Sequence, residues 1–169
     1  FTNFTSFSGT SKKFSYYSFV NYKKGNGFRP NSNFESFNTY LHLGYKINNK
    51  TKLSTELTYL KYLAHQSGGL SDKMFNSDPF QSNRSRNWFG LNWFLYNVKL
   101  NHEFNSNTNF SFSFFGLNAM RNALGFRTNR VDQIDSNGVR DLIKGEFQNF
   151  GLESRFLKKY DIKGNKSVF

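Results

Sequence analysis

The stretch Asn87 to Met120 decides the fold, and it runs NWFGLNWFLYNVKLNHEF, then NSNT, then NFSFSFFGLNAM. Two long runs rich in aromatic residues flank a short polar segment, which is the pattern of a β-hairpin. Because successive side chains of a strand point to opposite faces, each run has one apolar and one polar face. The apolar positions are Phe94, Tyr96, Val98 and Leu100 in the first run and Phe110, Phe112 and Phe114 in the second.

The apolar phase of the first run changes once. Phe89, Leu91 and Trp93 are out of step with Phe94 and the apolar positions that follow it. A β-bulge would shift the phase in this way. A change of environment along the strand would do so as well, and the pattern leaves both explanations open.

The same alternation extends outward from the hairpin. It is clearest between Phe34 and Ile47, where Leu41, Leu43 and Tyr45 share one face and His42 lies on the other. Beside the hairpin, the sequence predicts strands over residues 1–7, 13–22, 34–47, 52–64 and 149–160. These boundaries carry an error of a few residues.

The predicted connections alternate in length. In an up-and-down sheet such alternation puts every tight turn at one end and every long loop at the other. Outer-membrane barrels have this asymmetry, with short periplasmic turns, longer extracellular loops and strands of about 10 residues. The short connections are 8–12, 48–51, 105–108 and 161–166, and the longer ones are 23–33, 65–86 and 121–148.

A soluble β-sandwich is the competing fold, because its strands also alternate. Sandwich strands usually run about 5–6 residues, whereas the predicted strands are about twice as long. Loops beyond roughly 12–15 residues are uncommon in compact domains, yet two are predicted. The sequence therefore favours an all-β fold, an antiparallel up-and-down transmembrane β-barrel segment of about six to eight strands.

Composition restricts the partners and the chemistry. The 169 residues include 23 Lys and Arg against 11 Asp and Glu, and no cysteine. The basic excess favours anionic partners, but the aromatic residues alternate away from most charges, so we expect no nucleic-acid binding. Three widely spaced histidines without cysteine partners predict no metal site and no cofactor. Nothing places a partner carboxylate near Glu56 or Glu153, so a glycosidase pair is unsupported and no catalytic residue is predicted.

Several longer segments carry a family resemblance. ELTYLKYLAHQSGGLSDKMF (Glu56–Phe75) and DPFQSNRSRNWFGLNWF (Asp78–Phe94) resemble the barrel of TonB-dependent outer-membrane receptors, in particular the ferric-dicitrate (siderophore) type of Bacteroidetes-like bacteria. FGLNAMRNALGF (Phe115–Phe126), the segment Arg140–Asp161 and GNGFRPNSNF (Gly25–Phe34) are similar to the same group. Together these segments cover most of the chain.

The resemblance implies a fold and a function. Such receptors are single-chain barrels of about 22 strands with a plug domain in the lumen. We therefore expect residues 1–169 to be an internal part of the barrel domain, with the plug absent from this chain. The implied function is not catalysis, so we expect no enzyme. It is active uptake of ferric citrate or another ferric siderophore across the outer membrane of a Gram-negative bacterium, with energy from the TonB complex acting through the missing plug. Outer-membrane lipid is the other implied partner.

Arginines in the long loops are the candidate ligand-binding residues. Guanidinium groups pair bidentately with carboxylates, and ferric citrate is an anionic carboxylate complex. We predict ligand contacts from Arg84, Arg86, Arg127 and Arg130. The alternative roles for these side chains are solvation, pairing with loop carboxylates such as Asp132, or contact with lipopolysaccharide phosphates.

Two other function classes stay open at this point. A passive outer-membrane porin or an adhesin barrel would share the strand pattern but would need neither plug nor TonB. A soluble carbohydrate-binding β-sandwich would fold as a monomer without detergent.

Overall fold

The computed structural model of the protein describes residues 1–126, 128, 130–136 and 138–169. Each tight turn links two antiparallel strands, and successive side chains of each strand point to opposite faces of the sheet. The elements are β1 (Thr2–Ser11), β2 (Phe14–Gly25), β3 (Phe34–Lys46), β4 (Thr51–His65), α1 (Asp72–Ser77), β5 (Trp88–Asn105), β6 (Thr108–Leu124), β7 (Leu142–Ile162) and β8 (Asn165–Val168).

The strands form one sheet in sequence order, from β1 at one edge to β8 at the other, and all neighbours are antiparallel. This topology confirms the predicted all-β, up-and-down architecture. The described residues form a single sheet rather than two packed sheets, so the β-sandwich prediction is wrong. Tight turns lie at one end of the sheet and the three long connections at the other.

The tight turns have local causes. Lys163 and Gly164 have φ values of 53° and 82°, and positive φ at both central residues is the type I′ geometry that matches the twist of a hairpin. At the β5–β6 turn, the Asn105 side chain accepts the backbone N–H of Asn107 at 3.0 Å. The β3–β4 turn uses Asn48 in the same way toward Lys50, at 2.9 Å.

The register separates two faces of the sheet, which differ in composition near the tight turns. We call the apolar one the outer face and the polar one the inner face. The outer face contains the cross-strand row Leu43, Thr55, Val98, Phe114 and Leu152. The inner face contains the neighbouring row Gly44, Ser54, Lys99, Ser113 and Glu153. A recess is lined mainly by inner-face side chains, so the sheet curves around that face.

The sheet has no core of its own. Among the described residues, no hydrophobic side chain is buried, and outer-face side chains stay exposed, with Val98 at 41 %, Leu152 at 65 % and Phe150 at 78 %. No helix in the described part of the chain is long and apolar enough to cross a membrane. Exposed apolar surface of this extent requires a cover of lipid or protein.

The polarity of both faces reverses along the strands. On the outer face of β5, apolar side chains run from Leu100 to Phe94, about 20 Å at the usual rise per residue, and Asn92 follows. On the inner face, Lys99 and Asn97 give way to Trp93 and further apolar side chains toward the long-loop end. The apolar band thus covers the outer face only in the half nearest the tight turns.

This reversal explains the change of phase seen in the sequence. The β4–β5 pairing and the β5–β6 pairing both continue without a shift past Trp93 and Phe94, and the one irregularity of β5 lies between Glu103 and Asn105. A β-bulge at Trp93–Phe94 is therefore wrong, which leaves the change of environment as the explanation.

The last long connection, predicted over residues 121–148, is shorter in the structure. β6 continues to Leu124 and β7 begins at Leu142, which leaves residues 125–141 as the connection. The added strand residues lie beyond the apolar band, where Lys144 and Glu146 face outward and Phe147 faces inward. Because the outward side chains here are polar, the alternation of apolar residues that predicts a strand is absent from this segment.

Candidate functional site

The three long connections form one assembly at their end of the sheet, and we call residues 26–33, 66–87 and 125–141 the loop cluster. Asn31 joins two of these connections. Its φ is 55°, and its amide Nδ2 donates to the carbonyl oxygens of Gln66, Arg84 and Asn87 at 2.9–3.1 Å. Its Oδ1 lies 2.8 Å from Nδ1 of His65. A side chain with several partners fixes the first connection against the second.

Arg29 makes a second link between the same two connections. Its Nε donates to Oγ of Ser67 at 3.0 Å, and its Nη2 donates to the carbonyl oxygen of Gly68. The charge of Arg29 is therefore directed at the loop backbone.

Arg84 joins the second connection to the third. Its side chain is buried at 4 % exposure, and Nη1 donates to the carbonyl oxygens of Asn83 at 2.6 Å and Gln133 at 3.1 Å. Nη2 reaches the carbonyl oxygen of Val131 at 3.4 Å. A guanidinium that supports three backbone carbonyls stabilises loop structure, and its burial argues against direct contact with a ligand in this conformation.

Phe126 lies between two arginines. The guanidinium carbon of Arg84 is 5.0 Å from the centre of the ring, and that of Arg140 is 4.7 Å away. Arg140 also forms an ion pair with Asp135, and both side chains are largely buried. Each cation–π contact contributes about 0.5–2 kcal/mol, so this group strengthens the junction of the second and third connections.

The remaining predicted arginines have different environments. Arg86 is exposed, and its Nη2 donates to the carbonyl oxygen of Gly138 at 2.6 Å. Arg130 is exposed and forms an ion pair with Asp132 at 3.0 Å. The hydrogen bond from Arg130 lowers the pKa of the Asp132 carboxyl, so the partner stays ionised and offsets the charge of Arg130. Arg127 lies outside the described residues.

Arg121 is a further candidate that the sequence placed in a loop. The structure places it on β6, on the inner face near the loop cluster, where it is exposed. It lines a recess with Gln66, Asn87 and Phe89. A strand boundary placed four residues further along would have revealed its inward position. Arg121 is thus an exposed arginine on the inner face beside the loop cluster, and Arg86 is an exposed arginine within the loop cluster.

The inner face nearer the tight turns carries a polar and ionisable surface. His42 Nδ1 lies 3.5 Å from Glu56 Oε1, and the Asn97 side chain donates to Glu56 Oε2 at 3.5 Å. Arg155 forms an ion pair with Glu153. These contacts suit a water-filled lumen, where charged groups keep solvent or pair with each other.

Glu56 and Glu153 line the same recess of the inner face but lie on strands that are not neighbours. β5 and β6 lie between these strands, which at the usual strand spacing are about 14 Å apart. Glycosidase carboxyl pairs are roughly 5–9.5 Å apart. In the described part of the chain, no group of three or more histidine, cysteine, aspartate or glutamate side chains could hold a metal ion.

Comparison with known proteins identifies the fold. No family description matches the sequence, and no curated protein matches it. The structure is similar to the crystal structure of the ferric citrate transporter FecA in the unliganded form, with a TM-score of 0.84 and 20 % sequence identity. The match covers 95 % of this chain and 23 % of the transporter chain. The chain therefore has the fold of a segment of that transporter's β-barrel.

Proposed function

We propose that this chain is part of the barrel wall of an outer-membrane receptor that takes up a ferric chelate, ferric citrate or another siderophore of the dicitrate type. The observation that carries the proposal is the match of nearly the whole chain to the fold of a ferric citrate transporter. The residues before and after this segment would complete the barrel and supply a plug domain, through which the TonB complex would act. The role is transport rather than catalysis.

The distribution of apolar residues supports a membrane location. The outer-face band between Leu100 and Phe94 is comparable in height to the apolar band of outer-membrane barrels, about 25 Å. Beyond this band, Asn92, Glu146 and Lys144 face outward, as expected for strands that continue into water. The tight turns then lie on the periplasmic side, and the loop cluster lies outside the cell.

The ligand site we propose is the inner rim at the loop cluster. Arg121 is exposed on the inner face there, Arg86 is exposed within the loop cluster, and both can pair with the carboxylates of a citrate complex. Arg84, Arg29 and Arg140 hold the connections in place, so they position the rim. Ligand contacts from Arg127 and Arg130 remain predictions of the same kind.

The test uses the complete protein, purified in detergent and titrated with ferric citrate by calorimetry. A hydrogen bond to a charged group contributes about 1.5–3 kcal/mol, so Arg86→Ala or Arg121→Ala should weaken binding by roughly tenfold or more. Lys144→Ala is the matched control, because Lys144 is an exposed cation on the outer face at a similar height. Equal affinities in all four proteins would move the site away from this rim.

Transport energy is tested separately in cells. Uptake of radioactive ferric citrate should stop when TonB is removed or the proton gradient is collapsed. Uptake that continues unchanged would support the alternative of a passive porin, whose fold has the same up-and-down strands.

A further inference from the structure

Lysines concentrate at the tight-turn end of the sheet. The acidic side chains at that end are Glu103 and Asp161, and Asp161 accepts the backbone N–H of Gly164 at 2.7 Å. Most of the arginines and acidic residues lie instead toward the loop cluster. We call the following residues the turn-end lysines: Lys12, Lys13, Lys50, Lys158 and Lys163. The other lysines at this end lie on the inner face, namely Lys46, Lys52, Lys159 and Lys166.

Exposed aromatic rings lie on the outer face beside one of these lysines, Lys158. Phe156 and Tyr160 are 50 % and 40 % exposed, and they flank Lys158 on the same face of β7. Phe104 packs against Phe156 with ring centres 6.5 Å apart. Aromatic rings favour the depth of lipid head groups, and lysine side chains extend past them to place the ammonium in the polar layer.

Two turn-end lysines are held by hydrogen bonds at the tight-turn end of the sheet. Nζ of Lys50 donates to the carbonyl oxygen of Phe104 at 3.1 Å, and Nζ of Lys13 donates to that of Ile47 at 3.1 Å. An ammonium group has three donors, so each can also donate to a phosphate oxygen. These contacts direct positive charge along the boundary between the aromatic rings and water.

We propose that the turn-end lysines bind the phosphate groups of anionic phospholipids in the leaflet at the tight-turn end. The proposal rests on the proposed function, because it requires strands that cross a bilayer. An acidic protein could also bind the lysines, but it would gain nothing from the exposed aromatic rings beside them. Phospholipid head groups are complementary to both features.

The experiment measures lipid binding to the complete protein in detergent by native mass spectrometry. The lipid probes are phosphatidylglycerol and phosphatidylcholine with identical acyl chains, and poly-glutamate is the probe for an acidic protein. The turn-end variant carries Lys12→Gln, Lys50→Gln, Lys158→Gln and Lys163→Gln. The control variant carries the same number of changes at the long-loop end, namely Lys23→Gln, Lys24→Gln, Lys61→Gln and Lys144→Gln. All eight side chains are exposed, and binding of ferric citrate checks that both variants are folded.

The wild type and the control should prefer phosphatidylglycerol, and the turn-end variant should bind it at least about fivefold more weakly, the effect of one cation near an anionic surface. Equal binding of the two lipids to the wild type, or equal losses in both variants, overturns the proposal. Loss of poly-glutamate binding without loss of phosphatidylglycerol binding also overturns it and indicates an acidic protein partner. A protein that is recovered folded without detergent refutes the proposed function itself, whereas ferric citrate transport without lipid preference refutes only this inference.

Discussion

Arg84 and Arg86 are two residues apart but have different environments. Arg84 is buried and donates to backbone carbonyls of the third connection, whereas Arg86 is exposed. Sequence alone gave them the same predicted role, because burial depends on how two distant connections pack. Arg84→Ala should therefore test the stability of the loop without removing an exposed charge.

We expect Arg84→Ala to loosen residues 125–141, because it leaves the carbonyl oxygens of Val131 and Gln133 without this donor. The loss of hydrogen bonds from a charged group corresponds to about 1.5–3 kcal/mol. Hydrogen exchange followed by mass spectrometry should show amide exchange in this connection accelerated by roughly tenfold or more. Lys61→Ala is the control, because Lys61 is an exposed cation on β4 outside this connection, and it should leave the exchange nearly unchanged. Equal exchange in both variants would contradict a supporting role for Arg84.

Gly116 provides space for an aromatic ring on the opposite strand. A Cβ atom at this position would lie 2.2 Å from the hydroxyl oxygen of Tyr96 and 2.7 Å from the backbone oxygen of Asn149. The same arrangement occurs where Phe115 covers Gly151 and where Tyr16 covers Gly9. Rings that cover a facing glycine help to fix the register of a sheet.

Gly116→Ala should lower the free energy of unfolding by about 1–3 kcal/mol, the usual cost of overpacking. Gly90→Ala is the matched control on β5, since a Cβ there meets its nearest neighbours at 3.4 Å or more, and it should change stability by less than about 1 kcal/mol. Urea unfolding of the complete protein in detergent measures both values. A stability cost at Gly116 no larger than that at Gly90 would show that the Tyr96 ring moves aside freely.

At the scale of a single element, β5 carries both environments of the barrel wall. Val98 lies in the outer apolar band, Asn97 lies on the inner face, and Asn92 lies on the outer face beyond the band. An arginine substitution at each position tests the facing and the height of the band within one strand.

Val98→Arg should cost about 2–4 kcal/mol if the residue lies near the middle of the bilayer. Asn97→Arg should cost far less, because the inner face is wet and Glu56 is close to Asn97. Asn92→Arg should cost about 0–1 kcal/mol, the value near the membrane interface. Unfolding free energies in lipid vesicles provide the comparison. Similar costs at Val98 and Asn92 would show that the apolar band does not end between these two residues. Similar costs at Val98 and Asn97 would contradict the assignment of faces.

At the scale of the whole molecule, the sheet is open. Its edge strands β1 and β8 are not paired with each other, and an unpaired edge inside a membrane leaves backbone groups unsatisfied at several kcal/mol each. Further strands must therefore close the wall if these residues span a bilayer, in agreement with a chain that covers 23 % of the transporter it matches.

The isolated 169-residue chain should self-associate in buffer without detergent, because its apolar outer face and both edges are exposed. Sedimentation velocity should show heterogeneous species above 19.8 kDa. A folded monomer in buffer would show that the sheet needs no lipid, and it would contradict the membrane assignment.

The sequence by itself determined the strand periodicity, the alternation of short and long connections, and hence the all-β, up-and-down fold. These features are local, because a period of two residues and a polar turn need no distant partner. The pattern from Phe94 to Leu100 was enough to identify the apolar face of the sheet near the tight turns. The same pattern fails at Lys144 and Glu146, because the outward residues there are polar and the sequence predicts a loop where the structure has a strand.

Only the tertiary structure decided how the arginines are used. The burial of Arg84, the pairing of Arg140 with Asp135 and the inward position of Arg121 depend on the packing of connections that are far apart in sequence. An arginine in a loop has the same local sequence whether it supports a carbonyl or faces a ligand. The sheet fixes which connections meet, and those contacts determine which charges remain exposed at the rim.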